Sequence, residues 1–421
     1  ALFGGTLGFN VSSGLIALSN LPMIVFPYLG AEYGTHATRK AMGEAHKIIR
    51  NSGNYRKLRA FGSEEASDVH EEAMKSGWSF GNYGPNSKMG KELATLYDVA
   101  SRSGQLNRSQ LYENLLGSAR TTPLDKFNAM SGWMLHTAER YNREVTLVAA
   151  YKLELAKLKK QGITGAEAET QAANKAVYAA EMANGSISAS SAPRIAQGDL
   201  GSIVYMYKRF GVTQYYLQAK TLYDALKGET DPKVRKMLKD RFWGLTGATA
   251  VMSGLQGLPM FGLAAMVYNL FKDDDEEDFN MKMRRLMPEY LYNGPVEYLT
   301  GLSIASRTGL SNLIIKEPRS SGETSSFSQS LLDAVGGPFP SMVDRFQRGL
   351  DKIQKGNVER GVEDLLPVAV ANALKGVRYM TEGAKTLRGD TIYDDIDPLR
   401  AGTTRRIVST IEKECRKHVK L

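Results

Sequence analysis

The chain has 421 residues, of which 24% are charged, with a net charge of +9 and one cysteine. Its slightly negative mean hydropathy excludes an integral membrane protein taken as a whole, and a lone Cys415 excludes an internal disulfide framework. The length allows two or three domains with a sizeable core. The modest basic excess suits nucleic acid, anionic lipid or an acidic partner and singles out none of them.

The chain opens on Ala1 with no basic n-region before its first apolar stretch. A secretory signal is therefore not expected, and a fragment of a longer polypeptide is. Ala1–Ala31 carries no charge and holds Pro22 and Pro27, so a continuous helix is not expected there. The strongest helical signal starts at Thr122, with Pro123 at the first helical position. Apolar residues at helical spacing, from Leu124 and Phe127 to Leu153 and Leu158, carry it to Gly162. A helix of that length belongs in a bundle or hairpin. Thr164 and Glu167 form a capping-box signature for a following helix that ends near Gly185. Asn184–Ala192 reads as a loop. Asp199 caps another long helix that stops at Gly228, and Asp231-Pro232 starts the next one.

That helix feeds a second charge-free stretch, Phe242–Phe271, followed by six consecutive acids, Asp273–Asp278. Acids at a helix C-terminus oppose the macrodipole, so the helix through Met266 and Leu270 should end or bend before Asp273. A helix over either charge-free stretch would measure about 45 Å, against roughly 30 Å of bilayer hydrocarbon. Gly244, Gly247, Gly254, Gly257, Gly262 and Pro259 argue against one rigid span, with the break near Gly257-Leu258-Pro259. Ala250, Ser253, Gly254 and Gly257 supply the small residues that let helices approach closely. Three readings stay open: a buried helical hairpin, a segment that enters a membrane conditionally, and a constitutive transmembrane helix. Further on, Glu317–Ser330 reads as a linker. Short helices punctuated by Gly336-Gly337-Pro338, Pro340, Gly349, Gly356 and Gly361 lead to a basic tail.

No catalytic signature emerges. His36, His46, His70, His136 and His418 lack the spacing of a metal site. The acidic run lacks the glycine turn and distal glutamate of an EF-hand loop, and reads as a solvated charge run. Gly383-Ala384-Lys385-Thr386 lacks the preceding glycine of a phosphate loop. Tyr205, Tyr207, Lys208, Arg209, Phe210, Tyr215 and Tyr216 share one helix. Base stacking is one use of such a surface, and interhelix packing is the commoner one. The expected fold is all-α: an elongated multi-helix bundle with long helices and short Gly/Pro-punctuated C-terminal helices. Its expected parts are an N-terminal apolar segment with short helices (1–120), a long-helix bundle (121–241), a glycine-rich apolar segment with its acidic run (242–316) and a small-helix region with a basic tail (331–421).

An ordered set of motifs adds to this. Arg209-Phe210-Gly211 stands in the tyrosine-rich helix. After the glycine-rich stretch come Asn293-Gly294-Pro295, Gly301-Leu302 and Ser306-Arg307-Thr308-Gly309-Leu310. Then follow Gly336-Gly337-Pro338, Gly349-Leu350, Gly356-Asn357-Val358-Glu359-Arg360-Gly361, Leu365-Leu366-Pro367, Thr381-Glu382-Gly383 and Arg388-Gly389-Asp390. The succession resembles the C-terminal region of the very large internal virion proteins of tailed bacteriophages, the polyvalent group named for a Pro-Leu-x-Arg-Phe-Gly motif. It covers roughly Ser202 to Pro398, and it departs from that motif in having Met206-Tyr207-Lys208 before Arg209.

The resemblance implies a non-enzymatic, cofactor-free protein stored in the capsid interior and ejected with the genome to help form a conduit across the host envelope. Implied partners are other core, portal or tail proteins, further copies of the chain, the host membrane, and packaged DNA through non-specific contacts. The alternative is the non-catalytic C-terminal part of a virion-packaged RNA polymerase or peptidoglycan-lytic protein. A third reading is a helical scaffold with no membrane role.

Overall fold

The computed structural model describes residues 11–51, 88–103, 123–185, 199–258, 279–300 and 339–366, with scattered positions at 261–277 and 371–393. The fold is all-α. The only extended pairing among the described residues is a short antiparallel ladder of β1 (Ala384–Lys385) with β2 (Thr391–Tyr393).

Helix α1 (Val11–Leu18) leads through a π-helical turn, Leu21–Val25, into α2 (Phe26–Tyr33) and α3 (Thr35–Asn51). Pro22 and Pro27 sit in the first turns of the π-helical segment and of α2, where a missing N–H is tolerated. Asn20, Val25 and Phe26 all keep right-handed helical backbone, so the expected break at the prolines takes the form of a π-helical turn and the chain direction continues. After α4 (Lys88–Arg102) comes α5 (Pro123–Lys160), a helix of 38 residues, about 57 Å long. Its start at Pro123 and its end short of Gly162 follow the sequence signals closely.

The next helix, α6, is Ala166–Asn184. Here the expected Thr164–Glu167 capping box does not form. Gly165, at φ +78°, is the N-cap residue and no side chain caps the turn. The glycine's left-handed backbone starts the helix one residue beyond Thr164. Helix α7 (Asp199–Tyr223) runs into a π-helical turn, Asp224–Gly228. Helix α8 (Pro232–Ser253) follows, and Asp231 caps it by accepting from Lys233 N at 2.8 Å. The helix breaks at Gly254, three residues before the expected Gly257-Leu258-Pro259, and Leu255–Gly257 form one 3-10 turn. Short helices α9 (Phe279–Leu286), α10 (Glu289–Tyr292) and α11 (Pro295–Thr300) precede a final pair, α12 (Phe339–Gln354) and α13 (Val358–Leu365). The expected helix end before Asp273, the linker at Glu317–Ser330 and the basic tail lie outside the described residues.

Helix α5 is the axis of the core. It packs along α6, α3 and α1, and α6 in turn packs on α4. Leu147, Val148, Ala149, Ala150 and Tyr151 are buried, together with Leu93, Leu96, Ile48 and Ile49 from the neighbouring helices. The facing side of α6 is almost entirely alanine. Ala168, Ala172, Ala173, Ala176, Ala179, Ala180 and Ala183 are all buried. Small residues bring α6 close to α5, yet each buries only a methyl group. Methyl-sized burial stabilises by about 0.8 kcal/mol, against roughly 1.5–3 for a leucine. The α5–α6 seam is tight and energetically thin. One continuous buried cluster runs from Leu21 to Leu245, so the segments expected at 1–120 and 121–241 share a core.

Candidate functional site

The two charge-free stretches meet. Helix α2, from the first, packs on the middle of α8, which runs into the second. Pro27 faces Gly244 so closely that a Cβ on Gly244 would stand 3.1 Å from the proline Cβ. Just beyond that contact, Arg241 Nη2 donates to Glu32 Oε2 at 3.0 Å. Glu32 is the first charged residue after Ala1–Ala31, and Arg241 is the last before Phe242–Phe271. One ion pair therefore closes the end of both apolar stretches.

Glu32 gathers three cations from three helices. Lys175 Nζ of α6 lies 3.0 Å from Glu32 Oε1, and Lys157 Nζ of α5 lies 3.8 Å from the same oxygen. Lys157 also lies 3.2 Å from Glu154 Oε2. Tyr33 Oη donates to that Glu154 oxygen at 2.6 Å, and the Arg241 guanidinium stacks on the Tyr28 ring at 3.9 Å. Burial pushes the Glu32 carboxyl up, but Lys175, Arg241 and Lys157 outweigh it and hold the carboxyl below its ordinary value. Burial pushes the Tyr28 phenol up to about 12. Burial, with Glu32 and Glu154 nearby, drives Tyr33 further up still. Both phenols therefore stay protonated and serve as a ring platform and a hydrogen-bond donor. This cluster clasps α2, α5, α6 and α8 together. Its balance, two carboxylates against three cations, leaves it electropositive.

A second polar joint fixes the first stretch just before its π-helical turn. Asn20 Nδ2 donates to Asn184 Oδ1 at 2.8 Å, Asn184 Nδ2 donates to Thr146 Oγ1 at 3.1 Å, and Asn142 Nδ2 donates to the Ala17 carbonyl at 2.5 Å. Within α5, Arg140 Nε and Glu144 Oε1 form a buried ion pair at 2.8 Å. Burial, and next the Glu144 charge, push the Tyr97 phenol well up.

The residues singled out in the sequence fall into two places. Ala250 is half-buried on α8, and its carbonyl accepts from Gly254 N at 2.9 Å. Ser253 is buried at the helix end. Gly254 has φ +63° and ψ −163°, a region essentially closed to other residues. It lies against the backbone of Tyr292-Asn293-Gly294, and a Cβ on Gly294 would stand 2.5 Å from Gly254 N. A Cβ on Gly257 would collide with Ser253 Cβ. Pro259 lies outside the described residues. Arg209 and Phe210 lie on α7 with side chains outside the described set, and Gly211 is buried there.

The glycines of the motif succession thus make backbone crossings. Gly254 meets Gly294, and Gly349 of α12 meets Gly361 of α13, where a Cβ on Gly349 would stand 3.0 Å from the Gly361 carbonyl. Lys352 pairs with Asp364 at 2.5 Å across the same two helices. These positions hold helices together and carry no reactive group.

The clasp escaped sequence reasoning because its members lie on four separate helices and Glu32 and Arg241 are 209 residues apart. Their placement at the inner edges of the two uncharged stretches was the available signal. Among the described residues, no group of histidine, cysteine or carboxylate side chains is placed to hold a metal ion. His46 Nδ1 hydrogen-bonds Tyr141 Oη at 2.6 Å, and His36 is exposed. No described helix is long and apolar enough to cross a membrane. Compared with known proteins, the chain matches no family model, no curated protein and no solved structure.

Proposed function

We propose that this chain is a non-catalytic, α-helical part of a phage internal virion protein. On this reading it is held in the capsid with core, portal and tail proteins, and delivered with the genome into the host envelope. The observation that carries the proposal is the pairing of the two charge-free stretches behind the Glu32–Arg241 clasp. Each covers part of the other's apolar surface, and the bond that closes them is ionic, a largely buried Glu32–Arg241 pair flanked by Lys157 and Lys175, which reach solvent. Salt and competing anions reach the two lysines more readily than the buried pair. The alanine seam of α6 and the absence of disulfides lower the cost of opening further. A protein that must pass a narrow tail and then repack needs apolar surface that is sheltered, reversible and locally folded.

A reversible lock tests this. Cysteines at Pro27 and Gly244, in a Cys415→Ser background, would place two Cβ atoms a few tenths of an ångström inside the usual disulfide span of about 3.5–4.5 Å. Phage carrying the oxidised protein are expected to adsorb but not deliver DNA, and reduction restores delivery. Normal delivery by the locked protein, or its absence from purified particles, overturns the proposal.

A further inference from the structure

Over their described side chains, helices α7 and α8 mix polar with apolar groups at their contact and leave large apolar groups outside. Helix α7 buries Gln214, Gln218 and Thr221 beside Leu217 and Ala225, and α8 buries Thr249 and Ser253 beside Leu245. Gln214 Nε2 donates to Thr249 Oγ1 at 2.7 Å across the interface. Neither end of the Gln218 amide finds a partner among the described residues, although the side chain is 2% exposed. The outward faces carry the large apolar groups. Tyr216, Tyr223 and Leu226 are 60%, 63% and 62% exposed, and Trp243 on α8 is 69% exposed. A helix in water normally turns its apolar stripe inward. Here small and polar groups join the helices, the arrangement favoured where the surroundings are themselves apolar.

The exposed α7 face is also basic. Tyr216, Lys220, Tyr223 and Lys227 recur at helical spacing on one side of the chain, and all four are exposed. Two of the nearby acids are engaged by local backbone. Glu229 Oε1 accepts from the backbone N–H groups of Thr230 and Asp231, and Asp231 Oδ1 accepts from Lys233 N. Asp224 is half-buried. No ion pair engages Lys220 or Lys227 among the described residues.

We infer that the outer face of α7 is a docking surface for an anionic lipid bilayer. The Tyr216 and Tyr223 phenols would sit at headgroup depth, Leu226 would enter the acyl boundary, and Lys220 and Lys227 would face lipid phosphates. Exposed leucine beside the tyrosines favours lipid over single-stranded nucleic acid, which gains from rings and cations but not from an aliphatic side chain. The inference rests on the delivery reading for its setting and adds which surface meets the membrane first.

Co-sedimentation of the full chain with phosphatidylcholine vesicles, with and without phosphatidylglycerol, tests it. Binding is expected only with phosphatidylglycerol, and it should weaken sharply at about 1 M salt, where the Debye length is about 3 Å. Lys220→Gln/Lys227→Gln should lower the partition coefficient by about thirtyfold, with unchanged circular dichroism. Tyr216→Ser/Tyr223→Ser should also release the protein. Wild-type binding by both double variants overturns this surface and leaves delivery standing. No vesicle binding by the wild type overturns the inference and removes the membrane step from delivery, while the presence of the protein in particles is judged separately. Tighter binding to a single-stranded oligonucleotide, or self-association abolished by the same variants, would reassign the face to nucleic acid or to a second copy and overturns the lipid inference.

Discussion

The bundle of α1–α6 and the pair α7–α8 solve helix packing in different ways. The bundle hides Leu147, Val148, Tyr151, Leu93 and Ile49 and leaves few large apolar side chains outside, Leu18 and Tyr178 among them. The pair hides glutamine, threonine and serine beside Leu217, Leu238 and Leu245, and displays tyrosine, leucine, tryptophan and Val251. Water drives the first arrangement, because apolar area removed from solvent is its main source of stability. The second gains less from water and depends more on close approach and hydrogen bonds. The bundle is thus the anchor, and the pair is the part suited to a change of surroundings. The clasp at Glu32 couples them, since Glu32 belongs to the bundle side and Arg241 to the pair.

Substitutions should separate the two regions, and the largest effect is expected at the crossing that ends α8. Gly254→Ala combines a backbone conformation costing about 1–3 kcal/mol outside glycine with a collision against the Tyr292–Gly294 backbone. A total above about 4 kcal/mol is expected, read as early proteolysis between α8 and α11. Proteolytic resistance equal to wild type would show that the crossing does not constrain the chain. Next, Leu147→Ala in the bundle should cost about 3 kcal/mol in thermal or urea unfolding, whereas Tyr216→Ala on α7 should stay within about 0.5 kcal/mol. Similar losses at both sites would erase the contrast between the regions.

Glu32→Gln should cost about 2–3 kcal/mol, less than the roughly 3–5 of a fully buried pair, because Lys157 and Lys175 reach solvent. The pH dependence has a definite sign. Glu32 has a lowered folded value, so its contribution is complete above the unfolded carboxylate range near about 4.3 and is lost as pH falls through the lower folded value. Wild type and Glu32→Gln should therefore converge in stability on acidification, and a gap that persists at low pH would assign the loss to packing. The smallest effect is a gain. Gln218→Leu removes a buried amide that finds no partner among the described residues, and should stabilise the protein in buffer by about 1–2 kcal/mol. Destabilisation there would mean that the polar seam is satisfied.

Local chemistry made much of the fold legible. Pro123 and Gly162 bracket α5, and Asp231-Pro232 caps α8, because caps and helix starts depend on residues a few positions apart. The Thr164 cap failed where Gly165 took the turn instead. The break in α8 falls at Gly254 because a distant strand of backbone, Tyr292–Gly294, presses on it. The glycine pattern flagged that site as a close approach without naming what approaches. The clasp was illegible for the same reason: its charges converge only after four helices have packed. The mixed polarity of α7 was half legible. Its tyrosines and lysines stand in the sequence, but which of them face outward depends on α8.

The central claim is that the charge-free stretches shelter each other in one setting and part in another. Spin labels at the exposed positions His36, one turn beyond the clasp in α3, and Lys239, just before it in α8, would report the separation directly in a Cys415→Ser background. A single narrow, short distance is expected in buffer, giving way to a longer and broader distribution when phosphatidylglycerol vesicles are added. A short distance that stays unchanged while the protein is bound to vesicles would contradict the account.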